Sequence, residues 1–141
     1  MKEFKASNFK GKCLIDEDFE PYLIKTNEVL KELEFVLIVT SSYRKDTNVK
    51  GAIVTPATKS NHLIGHAIDS NLQDKKTGEY FNSKKMADNV GNDDTIIHRI
   101  IKESGLRWGG NFKTRDVVHF DDGLNVTNPK LWEEKYRKIH Y

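Results

Sequence analysis

Cysteine is almost missing from these 141 residues, and Cys13 stands alone. With no second thiol there is no internal disulfide, and a zinc site built on paired thiolates is excluded, so any metal must be held by histidine and carboxylate. Cys13 itself reads as a bystander thiol rather than a nucleophile. Long apolar runs are absent too. No stretch approaches a membrane span, and the N-terminal twenty residues have no apolar core of signal-peptide length. The chain is therefore expected to be made as a soluble cytoplasmic product. Charge of one sign is scarce in excess: 23 Lys and Arg stand against 21 Asp and Glu, a net charge of +2. No block of lysines and aromatics marks a nucleic-acid surface. Repeats, low-complexity tracts and linkers are also missing.

What is present is ordinary for a folded domain, 37% hydrophobic and 31% charged. A chain of this length buries roughly two thirds of its unfolded surface and needs no disulfide staples. Residues 1–15 read as a polar lead-in. Phe19, Tyr22, Leu23, Leu30 and Leu33 recur at helical spacings, with Asp16 or Asp18 as a candidate cap and Pro21 suited to the first turn. The β-branched run 35–40 predicts a buried strand, and a polar loop with Gly51 and Pro56 follows. A second strand is expected over 67–72, and a polar surface excursion over 73–92. Residues 93–95 open a helix whose apolar face is Ile96, Ile97, Ile100 and Ile101, stopped by Gly105. Val117 to Phe120 reads as a further strand, and Asn128-Pro129 starts a last short helix with Leu131, Trp132 and Tyr136 inward. One α+β domain over 1–141 is the economical fold class.

Two clusters carry the chemistry. In Ser60-Asn61-His62-Leu63-Ile64-Gly65-His66-Ala67-Ile68-Asp69, a histidine precedes a glycine turn and an aspartate follows on an apolar strand. The neighbours of Asp69 predict its burial, and a buried carboxylate needs a cation or several donors. A zinc ion shared with His62 meets that need; so does an arginine or a set of backbone amides. The second cluster runs from Trp108-Gly109-Gly110 to Asp116-Val117-Val118-His119-Phe120. On a strand Val117 and His119 share one face, and Asp116 lies at the bend before it. Together the clusters offer two imidazoles, one carboxylate and a spare acid. Zinc hydrolysis asks for such a set: three protein ligands, an open fourth position and a base within reach. Arg44, at the end of the 35–40 strand, is a candidate for oxyanion stabilisation or a surface ion pair. Trp108 either walls a peptide groove or packs the core. His66 follows His62 by four residues, but Gly65 breaks a helical His pair; His98 reads as structural or solvent-facing, and His140 sits in a terminus prone to fraying.

These residues resemble a known family. Ser60-x-His62-x-x-Gly65-x-Ala67-x-Asp69 and Trp108-Gly109-Gly110-x-Phe112-x-x-x-Asp116-x-x-His119-Phe120 are similar to the paired motifs of the D-alanyl-D-alanine carboxypeptidase and L-alanyl-D-glutamate endopeptidase family. This is the VanY-type branch of the LAS metallopeptidases, which includes phage endolysins. Ser41-Ser42-Tyr43-Arg44 resembles its third element, so the motif region spans 41–120. The resemblance implies a small α+β domain whose central antiparallel sheet carries the metal between flanking helices. It implies one zinc ion per chain on His62, Asp69 and His119, with Asp116 as general base. It makes Arg44 an orienting and stabilising cation, puts Ser60 beside the ligand turn and sets Trp108 at the substrate cleft. The implied substrate is a peptidoglycan stem peptide, cut at L-Ala–D-Glu, with D-Ala–D-Ala carboxypeptidase action and a non-catalytic zinc-containing binding module as alternatives. A monomer is expected, reaching the cell wall or periplasm after release or delivery by another system. The sequence departs from the pattern after Tyr43-Arg44, where Asn48 is only a loose stand-in for a glutamine. It departs again after His119-Phe120, where Asp121 replaces the usual glutamate.

Overall fold

The computed structural model describes residues 1–45, 59–92 and 94–140. Asn48, Gly51, Pro56 and Asp93 lie outside the described residues, and with them most of the expected polar loop and the first residue of the 93–95 helix start.

The architecture is α+β, as the periodicities predict. Three two-residue strands open the chain: β1 (Lys2–Glu3), β2 (Phe9–Lys10) and β3 (Leu14–Ile15). Helix α1 (Glu20–Leu33) leads into β4 (Phe35–Ser41), and β5 (Ala67–Asp74) follows. After β6 (Tyr80–Phe81) come α2 (Ser83–Ala87) and α3 (Ile96–Ser104). The chain then runs through β7 (Arg107–Trp108), β8 (His119–Asp121), α4 (Leu124–Thr127) and α5 (Pro129–His140). The main sheet has the order β2-β4-β5-β8-β7, with β6 also on β5. Every pairing in it is antiparallel except β2 with β4, so the sheet is mixed at one edge. Among the described residues no helix is long and apolar enough to cross a membrane.

Helices α1 and α3 pack on each other, and their apolar faces join Leu37, Val39, Ile68, Leu72 and Phe120 of the sheet in one core. Pro21 does sit in the first turn of α1. Neither Asp16 nor Asp18 caps it, because Phe19 occupies the cap position and Asp16 is engaged elsewhere. Thr95 caps α3 by accepting from the His98 amide, and Gly105 ends it in the left-handed region at φ 83°.

Three expectations need correction. Residues 1–15 are no mere lead-in: Phe4, Cys13 and Ile15 are buried, and β2 extends the sheet. Burial pushes the Cys13 thiol up to about 12, with Glu3 adding to the effect, which agrees with an inert side chain. The 73–92 excursion holds β6 and α2, anchored by buried Phe81 and Met86; two apolar residues in a polar run show no period. The last strand begins at His119, since Val117 and Val118 form a turn whose Val118 carbonyl accepts from the Ser70 amide.

A buried ionic chain ties the ends of the protein to its centre. His66 lies between Asp122 (2.6 Å) and Asp16 (2.7 Å), and Asp16 also accepts from Lys135 on α5 (2.8 Å). Burial alone would lower the His66 pKa, but the two carboxylates outweigh it and raise it above the ordinary imidazole value. A raised folded-state pKa stabilises fully below the unfolded value and loses its contribution as pH rises through the folded one. We expect His66→Ala to cost about 3 kcal/mol in urea unfolding near pH 6, because it takes the cation from the Asp122 carboxylate, whose side chain is 5% exposed, while Asp16 keeps Lys135. The gap between wild type and variant should narrow as the pH is raised toward 9; a gap that widens would contradict the ion-pair assignment.

Candidate metal centre

Sheet register alone brings two of the predicted ligands together. Asp69 on β5 is the cross-strand partner of His119 on β8, and on its other side it faces Ser41 of β4. His62 arrives separately, on a single 3-10 turn over Asn61–Ile64. The Ser60 hydroxyl caps that turn by accepting from the His62 amide (3.3 Å), and Gly65 ends it at φ 74°, a left-handed geometry suited to glycine. Leu63 and Ile64 fix the turn from below by packing with Trp132 of α5 in a second small apolar cluster.

The three side chains converge. Asp69 Oδ1 lies 3.2 Å from His62 Nε2 and 3.4 Å from His119 Nδ1, and one potential ligand atom from each residue lies within 4.8 Å of the others. The opposite nitrogens are both occupied. His62 Nδ1 lies 2.7 Å from the Ser42 carbonyl, which only accepts, so Nδ1 carries the proton and Nε2 offers a lone pair. His119 Nε2 lies 2.7 Å from Asp121 Oδ2, leaving Nδ1 toward Asp69. Each imidazole is thus anchored through its far nitrogen, as ligating histidines are. Two imidazoles and one carboxylate suit zinc, and other divalent ions accept such sets.

The electrostatics follow from burial and pairing. Burial opposes ionisation of Asp69, but His119, His62 and Arg44 hold its carboxyl well below the usual carboxylate range. Burial likewise disfavours a charged His119, yet Asp121 and Asp69 raise that imidazole to about 9. Asp121 is itself held low against its burial by His119 and Arg107.

The remaining predicted residues are distributed unevenly. Arg44 is at the centre: its Nη2 donates to Asp69 Oδ2 (2.6 Å), its Nε to Ser41 Oγ (2.9 Å), and its amide to the His62 carbonyl (3.0 Å). With about 40% of its side chain exposed, it also faces solvent. Ser60 borders the ligand turn as its cap. Asp116 is exposed, and its backbone is fixed beside the centre, its amide donating to the Gly109 carbonyl (2.9 Å) and its carbonyl accepting from the His119 amide (3.1 Å). Trp108 packs in the core. It is 1% exposed, and its indole N–H donates to the Val117 carbonyl (2.7 Å), so of its two possible roles the structure gives it the core. His66 lies in the ionic chain described above, and His98 meets the Trp108 ring edge-on. His140 donates to the Leu63 carbonyl and stacks on Tyr136, so it is anchored rather than frayed.

Sequence reasoning passed over the residues behind the histidines. Asp121 drew notice only as a departure from a pattern, although an acid two positions after a strand histidine shares its face. Arg107 grips that acid with two nitrogens (2.7 and 2.9 Å) from the paired position on β7, and its guanidinium lies over the Phe112 ring at 4.8 Å.

Comparison with known proteins agrees with this geometry. A family model described as D-alanyl-D-alanine carboxypeptidase matches residues 54–122, a segment that includes His62, Asp69, Asp116 and His119 and leaves Arg44 outside. No curated protein matches the chain. The similarity to the D-alanyl-D-alanine carboxypeptidase family thus covers residues 54–122, 69 of the 141 in the chain.

Proposed function

We propose that the protein is a zinc-dependent peptidase that hydrolyses peptidoglycan stem peptides. The observation that carries this reading is the convergence of His62, Asp69 and His119, with the far nitrogen of each imidazole already occupied. Zinc, when bound, supplies Lewis acidity that polarises a carbonyl and acidifies water. The chain's own residues do the rest. The Ser42 carbonyl and Asp121 fix the rings of His62 and His119 through their far nitrogens, and Arg44 occupies Asp69 Oδ2, which leaves Oδ1 facing the two imidazoles. The guanidinium of Arg44, half open to solvent, orients a substrate carbonyl or carboxylate beside the ligands. Asp116 accepts the proton of the attacking water and returns it to the leaving amine. Its backbone bonds to Gly109 and His119 keep it next to the ligand strand without making it a ligand.

The bond cut is assigned as L-Ala–D-Glu. The family's description favours a second reading, removal of a terminal D-Ala, and Arg44 would then receive the substrate's C-terminal carboxylate. Digestion of defined peptidoglycan, followed by mass spectrometry of the muropeptides, separates the two. Release of the stem at its L-Ala end is expected, abolished by a chelator and restored by zinc. Loss of D-Ala alone would establish the second reading, and muropeptides unchanged by the zinc-loaded protein would refute the substrate class.

The roles of individual residues are tested by metal content. After dialysis, His62→Ala and His119→Ala are expected to retain no stoichiometric zinc, whereas Asp116→Ala keeps about one ion per chain and loses at least about 100-fold in kcat, the usual scale for a general base. Full activity in the Asp116 variant would remove it from the mechanism.

A further inference from the structure

The two histidine-bearing segments, the 3-10 turn and β8, are far apart in the chain, yet a continuous polar strut joins them behind the centre. Asn61, next to His62 and 2% exposed, donates from Nδ2 to Asn125 Oδ1 (3.0 Å) and receives the Asn125 amide at its own Oδ1 (3.2 Å). Asn125 Oδ1 accepts a second bond from Arg107 Nη2 (3.4 Å). The same Arg107 nitrogen, together with Nε, holds Asp121, and Asp121 holds His119. Each link is a side chain at a distinct sequence position: 61, 125, 107 and 121. Asn125 lies on α4, beyond the segment matched by the family model.

We propose that Asn125 is a positioning residue for the metal centre, fixing the separation of His62 and His119 through this strut. The proposal rests on the assignment of those histidines as metal ligands. Three features support a positioning role beyond helix packing. Asn125 makes a reciprocal pair with Asn61, using both its backbone donor and its side-chain acceptor, which sets the two segments in one relative orientation. Its Oδ1 is shared between Asn61 and Arg107, so losing it breaks the side-chain strut and leaves only the Asn125 backbone N–H on Asn61, while each half keeps its own local anchor, Ser42 for His62 and Asp121 for His119. The α4 helix fully buries none of its four residues, and its apolar contribution is Leu124, packed partly against the cluster of Leu63, Ile64 and Trp132. Outer partners of metal ligands commonly affect metal affinity by 10- to 100-fold.

Three forms of the full chain, wild type, Asn125→Ala and Asn125→Asp, would be compared by competition for zinc against a chromophoric chelator. Melting of the chelator-treated proteins would be followed in parallel. Asn125→Ala removes the shared acceptor and is expected to weaken zinc binding about 10-fold. Asn125→Asp keeps an acceptor for Asn61 and Arg107 and is expected to bind zinc at least as tightly as wild type. A purely structural role would instead lower the melting temperature of the metal-free alanine variant and leave its zinc affinity within twofold of wild type, and that result would overturn the proposal. So would an aspartate variant as weak as the alanine one. If wild type itself takes up no zinc, the ligand assignment falls first and this inference with it; if wild type binds and the alanine variant binds equally well, only the inference falls.

Discussion

Asp69 is a carboxylate on the central strand of the sheet, 9% exposed, and its surroundings keep it ionised. Leaving such a group unpaired in the interior costs several kcal/mol. Here it meets two imidazoles and a guanidinium, each from a different part of the chain. That requirement organises β5. Along the strand, Ile68 and Leu72 point into the core under α1 and α3, while Ala67, Asp69 and Asn71 share the opposite face. A slip of one residue against either neighbour would put Asp69 into the hydrocarbon core and Ile68 into the centre. The apolar core therefore sets the register of the polar site, and the ion pairs at the site add a penalty for any other register.

The same constraint explains why much of the protein was legible from sequence. Helices α1 and α3 and strands β4 and β5 each extend far enough for a period to show, and each has one clear apolar face. Asp69 stood out because an acid inside such a strand is costly without a partner. His62 and His119 could be grouped with it by the donor set a zinc site asks for and by motif order, since no local rule joins a turn to a strand. What stayed hidden has a common cause: it depends on contacts between residues distant in sequence. Strands of two residues, such as β2 and β6, have no period to read. Asp16 looks like a helix cap by local rules, but a buried imidazole and Lys135 claim its carboxylate. Trp108 could not be assigned to groove or core without knowing what lies over it.

The Trp108-Gly109-Gly110 segment shows how a functional motif can owe its residue types to packing. Neither glycine is needed for a left-handed backbone, as neither has a positive φ. A side chain at 109 would collide with the Asp116 carbonyl, and one at 110 with the Trp108 ring. The glycines thus let the chain fold back on itself so closely that the backbone of Asp116 binds that of Gly109 and also touches His119. The indole beneath them donates to Val117 and closes the loop from inside. The buried tryptophan and two missing side chains therefore hold Asp116 in register with the ligand strand, while its own side chain stays in solvent. The proposed ligands sit on two strands and a braced turn, where precision is greatest, and the proposed base sits on a loop of fixed path, where it can meet a substrate. The division follows from chemistry: metal ligands must hold one geometry, whereas a base must first accept a proton and then deliver it to a different atom.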